Sequence, residues 1–192
     1  MKRAILLCLV VLASGLAQAQ GAGQRPLALA AAPGLQGLYS HTTLIAVPVG
    51  NVHIGFIVNR ATDVKLSALF PGHAPAAKVI DPVHFGGPEM ADAIFAVVRG
   101  DPGEGSLPLF GGLYLAASVE AIDRVIGQTP NHARYFAGFV GWEPGELEKE
   151  IEAGYWHVGD ADAALFFEPD TTRLWEELIE RLSAPQRGLR AA

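Results

Sequence analysis

The residues of this 192-residue chain that could do chemistry are few and scattered. Six histidines are dispersed along it, at His41, His53, His73, His84, His132 and His157. Asp81 and His84 lie three apart, a spacing that could pair two metal ligands, but Pro82 between them forbids a helix interior there. Ser118 could act as a nucleophile, yet no Gly-x-Ser-x-Gly elbow surrounds it and no base can be assigned to it. Glu143, Glu146, Glu148, Glu150 and Glu152 gather enough carboxylate for a cation site. No His-Glu-x-x-His pair, no phosphate-binding Gly-x-x-x-x-Gly-Lys-Ser/Thr loop and no dinucleotide fingerprint occurs. The expectation is an absence of catalytic, metal-binding and cofactor-binding residues, and no cofactor.

Each of these residues has an ordinary use in the element that must hold it. Ser118 reads as the N-cap of a helix over Val119–Ile126, with Glu120 in its first turn and Ile122, Val125 and Ile126 facing inward. The glutamates read as the wet side of a short helix. Pro144 suits its first position, Leu147 and Ile151 share its apolar face, and Gly154 suits its C-cap. Glu143, Glu146 and Glu148 set negative charge at the positive end of that helix, while Glu148, Lys149, Glu150 and Glu152 face water. Just before it, Tyr135–Val140 is an apolar run suited to a strand buried on both faces, with Gly138 marking a close approach. Tyr155–Val158 resumes an extended pattern.

The remaining elements follow in order. Leu27–Ala32 reads as a strand, and Thr42–Val47 with Val52–Asn59 as a hairpin through Gly50-Asn51. Leu66 and Leu69 mark a brief helix. Pro82 delays an edge strand until Val83. Gly86-Gly87-Pro88 is a sharp turn whose N–H groups could meet an anion, though Glu89 opposes that. Ala93–Val98 and Leu113–Ala116 are strands, separated by a mobile loop over Gly100–Pro108. Ala164–Phe167 is expected to be the last strand. Asp170 is expected to cap a final helix whose Leu174, Trp175, Leu178, Ile179 and Leu182 pack inward. Eight or nine strands and three substantial helices that do not alternate strictly define an α+β fold.

Composition supplies an address. Met1-Lys2-Arg3, an apolar run from Ala4 to Leu12 and Ala17-Gln18-Ala19 form a signal-peptide pattern over residues 1–19, and the apolar run is short for a membrane span. The reading is an exported, periplasmic or secreted protein with no stable span in its mature chain. Residues 20–26 form a flexible leader, 27–184 a single domain and 185–192 a disordered tail. Cleavage after Ala19 leaves 173 residues and removes Cys8, the sole cysteine, so no disulfide or thiol remains. It also removes Lys2 and Arg3, taking the net charge from −6 to −8. With no Lys/Arg cluster, nucleic acid is not an expected partner.

Three blocks resemble the YqgE/AlgH family of bacterial proteins. Gly55, Asn59 and Arg60 stand in a Gly-hydrophobic-Asn-Arg strand end. Gly86, Gly87 and Pro88 form a Gly-Gly-Pro segment. Gly141-Trp142, Gly145, Leu147, Glu148, Glu150 and Trp156, followed by Ala161-Asp162, are similar to the family's C-terminal signature. The resemblance implies a mixed, strongly bent β-sheet forming a pseudo-barrel with about three flanking helices, and these motif residues are expected to be structural. It also implies a transcriptional-regulator label. Positions that are often polar in the family resemble Ala46-Val47-Pro48-Val49, Ala93-Ile94-Phe95 and Val98 here, so a polar site in that region would be lost. The functional expectation is a non-catalytic envelope module that binds a protein or small ligand, with Tyr39 and Tyr155 as candidate surface aromatics. A regulator is the alternative, and a hydrolase using Ser118, His84 or the Glu143–Glu152 carboxylates is a second one. Oligomeric state is left open.

Overall fold

The computed structural model describes residues 25–183. The expected signal peptide and the tail from residue 185 lie outside the described residues. The strands are β1 (Leu27–Ala31), β2 (Thr43–Val49), β3 (Val52–Ile57), β4 (His84–Phe85), β5 (Glu89–Arg99), β6 (Ser106–Pro108), β7 (Leu113–Ala116), β8 (Ala133–Trp142) and β9 (Trp156–Asp160). The helices are α1 (Leu66–Leu69), α2 (Val119–Gln128), α3 (Glu146–Glu152) and α4 (Leu174–Ser183). The strand order is β6-β7-β5-β8-β3-β2-β1-β9, antiparallel throughout, with short β4 lying parallel to β8.

The sheet curls, and its packing shows why. Ala28 and Ala30 of β1 share one core with Leu113 and Leu115 of β7, although these strands stand near opposite ends of the sheet. That core centres on Phe56, whose ring lies 5.0 Å from Phe136 and 6.2 Å from Phe166 between centroids. Leu174 and Leu178 of α4 close it. Side chains alternate across each strand, so the outer face needs its own covers. Ala96, Val98 and Tyr135 pack under α2, whereas Leu44, Ile57 and Val140 pack near α3. Burial on both faces explains why these strands read as unbroken apolar runs.

β8 is the strand on which the two halves meet. It pairs with β5 through Ala133–Ala137 and again at Phe139, with β4 at Phe136 and Ala137, and with β3 through Val140–Trp142. Along one edge the partner changes from β4 to β3 across Gly138, whose φ is +70°. Phe136 and Phe139 both face the inner core, so the two-residue alternation slips by one at this glycine. A Cβ on Gly138 would lie 2.7 Å from the Glu89 carbonyl oxygen and would overlap that of Gly87. Gly87 approaches β8 equally closely from its own side. Gly86 N–H donates to Ala137 O at 2.8 Å, and Gly86 O accepts from Ile57 N–H at 2.9 Å, so this turn stitches β8 to β3.

Several local expectations are corrected. Ala164–Phe167 is not a strand but part of a 3-10 helix over Ala163–Phe167, because Asp162 Oδ1 accepts from Ala164 N–H at 2.8 Å and turns the chain. The loop over Gly100–Pro108 ends in β6, which pairs with β7. Pro144 is not the first helical residue: α3 starts at Glu146 with Gly145 as N-cap, and Glu146 Oε2 accepts from Glu143 N–H at 2.9 Å. Asp170 does not cap α4. Its Oδ1 accepts from the backbone and hydroxyl of Thr172, making a turn ahead of the helix. Ser118 does cap α2, accepting from Ala121 N–H at 3.1 Å. Trp175 packs inward and donates to Ala31 O at 2.8 Å.

Two glycines separate the cost of positive φ from the cost of contact. Gly50, also at positive φ, has open space around its missing Cβ. Gly50→Ala is expected to destabilise the protein by about 1 kcal/mol in urea unfolding, and Gly138→Ala by about 3 kcal/mol or more. Equal losses would show that the backbone crossing at Gly138 is not tight.

Candidate functional site

The C-terminal motif residues form a buried corner. Trp142 ends β8, Trp156 begins β9, and α3 lies between them. Glu150 Oε2 accepts from Trp142 Nε1 at 2.9 Å and from Trp156 Nε1 at 2.8 Å. Glu150 was expected on the solvated face, but the two indole N–H groups, on nearly buried rings, draw it inward. Removing this acceptor would strand two donors at about 1–3 kcal/mol each. Gly55 leaves room for the Trp142 ring, which would stand 2.7 Å from a Cβ at that position. Leu147 is buried beneath the corner, and Gly141 lies beside Ile54 on β3. Glu148 points to solvent. Tyr39 packs edge-on against Trp156 at 5.7 Å, and Tyr155 is exposed.

The other two blocks hold loops to the sheet. Asn59 Oδ1 accepts from Thr43 N–H and its Nδ2 donates to His41 O, both at 2.9 Å. Arg60 Nη2 donates to Ser40 O at 3.1 Å and to Thr42 Oγ1 at 2.8 Å. Together they latch the segment before β2. Gly86 and Gly87 are buried at the β8 crossing, while Pro88 is exposed beside it.

Asp81 and His84 do come together, but around Arg134 rather than a metal. Arg134 and His84 are almost fully buried. His84 Nδ1–H donates to Pro82 O at 3.2 Å, which leaves Nε2 to accept from Arg134 Nη1 at 3.4 Å. Arg134 also donates to Glu168 O at 2.9 Å and to Asp81 Oδ2 at 3.3 Å. Burial, and then the neighbouring guanidinium, push the His84 pKa down to about 4. Burial pulls Arg134 below its ordinary value, with Asp81 opposing. Among the described residues, no group of three or more His, Cys, Asp or Glu could hold a metal ion.

A separate opening lies elsewhere, in a groove of about 730 Å³ between α1, the outward stretch of β5 and α2. Leu69, Phe70, Met90, Ile94, Ile122 and Ile126 supply apolar wall, and Val64 and Val119 stand exposed at its edge. Its polar groups are Thr62, His73, Asp92 and Asp123. His73 Nδ1 accepts from Ala76 N–H at 3.3 Å, so Nε2–H donates to Asp123 Oδ1 at 2.7 Å. Both ring nitrogens are engaged, which leaves no free imidazole nitrogen there. Ala93 and Ile94 line this groove, whereas Ala46, Val47, Pro48, Val49 and Val98 do not. The groove is assembled from segments far apart in sequence, and only its scattered apolar residues were visible there.

A curled, largely antiparallel sheet with helices outside it defines an α+β half-barrel. The model of the AlgH-like family matches residues 28–187, and the chain belongs to that family. A UPF0301 protein of Chlorobium luteolum is 31% identical over 160 residues, covering 80% of this chain and 82% of that protein. A UPF0301 protein of Chlorobium limicola is 31% identical over 130 residues, covering 66% and 68%. The solution structure of the AlgH protein from Pseudomonas aeruginosa superposes with a TM-score of 0.69 at 23% identity, covering 88% of this chain and 94% of that one. A crystal structure of a Corynebacterium diphtheriae protein gives 0.68 at 20% identity, covering 88% and 92%. These two likenesses concern the fold.

The buried histidine predicts a pH dependence. In the unfolded chain His84 protonates near its ordinary 6.5, and in the fold only near 4. Between these values the unfolded state holds more protons, so stability is full above 6.5 and falls as pH drops toward 4. Urea unfolding across this window should show up to about 3 kcal/mol of loss that is absent in His84→Gln. Burial lowers the His53 pKa as well, with Glu148 opposing, so His53 adds a slope of the same sign that persists in the variant. Identical slopes in both proteins would contradict the assignment to His84.

Proposed function

We propose that this protein is an exported, non-catalytic module that binds a small apolar ligand in the groove between α1, β5 and α2. One observation carries the reading: the apolar groove of about 730 Å³, a size ordinary for ligand sites. Val64, Leu69 and Val119 are exposed at its edge, where apolar side chains gain nothing without a cover. The hydrolase alternative is disfavoured at its serine and histidine, since His73 and His84 each have both nitrogens engaged and the Ser118 hydroxyl caps α2. The regulator alternative is opposed by a net charge of −6 and by the lack of a basic cluster. Among the described residues, no helix is long and apolar enough to cross a membrane.

Titration with the neutral apolar fluorophore N-phenylnaphthylamine tests the groove. The wild-type protein is expected to bind one equivalent. Leu69→Glu/Val119→Glu, altering two exposed side chains, is expected to weaken binding about tenfold or more with unchanged thermal unfolding. Absent binding, or equal binding by the variant, would refute the assignment. Export is tested separately by cell fractionation with N-terminal sequencing. An envelope species beginning at Gln20 is expected, and a cytosolic species retaining Met1 would remove export from the proposal.

A further inference from the structure

The ligand groove described above is apolar in its walls but not neutral at its rim. Asp92 and Asp123 both line it, and none of its lining residues is Lys or Arg. Asp92 lies on the stretch of β5 where the five steps from Glu89 to Ile94 oppose the two steps from Phe139 to Ala137 on β8. The excess residues of β5 leave the ladder, and Met90 within them takes a φ of +51°. This carries Asp92 into solvent at the groove edge, where it has neither an ion pair nor a hydrogen bond among the described residues. Asp123 stands on α2. It accepts from His73 through Oδ1, while its Oδ2 has no partner there. The amino end of α2 also opens at Val119 on the groove, and an unmodified helix start would favour anions. Here Ser118 Oγ satisfies Ala121 N–H, and Glu120 adds a carboxylate to the first turn. The fixed charge facing the groove is therefore negative.

We infer that the groove selects ligands whose apolar body carries one cationic group, an amine or amidine, which pairs with the carboxylates of Asp92 and Asp123. This deepens the proposed ligand-binding role and rests on it. The apolar body supplies affinity by leaving water, and the carboxylates discriminate among ligands of equal apolar area. Because both carboxylates remain partly hydrated, the discrimination is modest and salt-sensitive.

Three compounds that share one ring system separate the two levels. Naphthylmethylamine is cationic at neutral pH, naphthalenemethanol is neutral, and naphthoate is anionic. Calorimetric titration of the full chain at low salt is expected to rank them in that order. The amine should bind about fivefold more tightly than the alcohol, and high salt should narrow the gap. Asp92→Asn/Asp123→Asn should bring the amine to the affinity of the alcohol and leave the alcohol unchanged. An amine that binds no better than the alcohol, or a preference that survives in the double variant, would overturn the inference while the groove reading stands. If none of the three binds, both fall together.

Discussion

The backbone of β8 can cross the Gly86-Gly87 turn only because residue 138 has no side chain. A Cβ there would collide with two carbonyl oxygens, those of Gly87 and Glu89. Much of the architecture follows from this contact. It lets Gly86 bond to β8 on one side and β3 on the other, so that the β6-β7-β5 half and the β3-β2-β1-β9 half share one strand. It also resets the alternation of β8, so that Phe136 and Phe139 both enter the inner core around Phe56. The outer face then changes cover at the same place, from α2 to α3.

The crossing shapes the groove as well. Opposite Gly138, β5 must accommodate extra residues, and Met90 through Ala93 leave the regular ladder. These residues line the groove. A backbone contact required for folding thus places an acidic residue and apolar wall beside α2. Strand irregularities commonly re-aim side chains in this way. The groove sits over a well-packed outer core, so a ligand there would meet a largely preformed surface rather than having to create one.

Several polar side chains in or beside the core are engaged in local structural tasks. Glu150 holds two tryptophan N–H groups, Asn59 and Arg60 latch the segment before β2, and Arg134 gathers Asp81, His84 and a carbonyl. Leaving such groups unpartnered in the interior is costly, and these partners occupy the atoms that chemistry would use. His84 illustrates the consequence. With one nitrogen donating, the other accepting from a cation, and burial pressing its pKa to about 4, it is a neutral spacer at physiological pH.

Much of the fold was legible because its signals are local. Apolar runs marked β1, β2, β3 and β8, Ser118 announced α2, and the stripe from Leu174 to Leu182 announced α4. Gly138 signalled a close approach, since a glycine inside an apolar strand has few other uses. Local signals misled where a side chain competed with the backbone, as Asp162 did ahead of Ala163–Phe167. They were silent on Arg134, whose burial depends on segments some fifty residues away in the chain. The sequence by itself determined the α+β class, the family and the main elements, because periodicity and caps act over a few residues. Only the tertiary structure decided that Glu150 turns inward and that Asp92 and Asp123 face one groove. Those outcomes depend on which distant surfaces the curl of the sheet brings into contact.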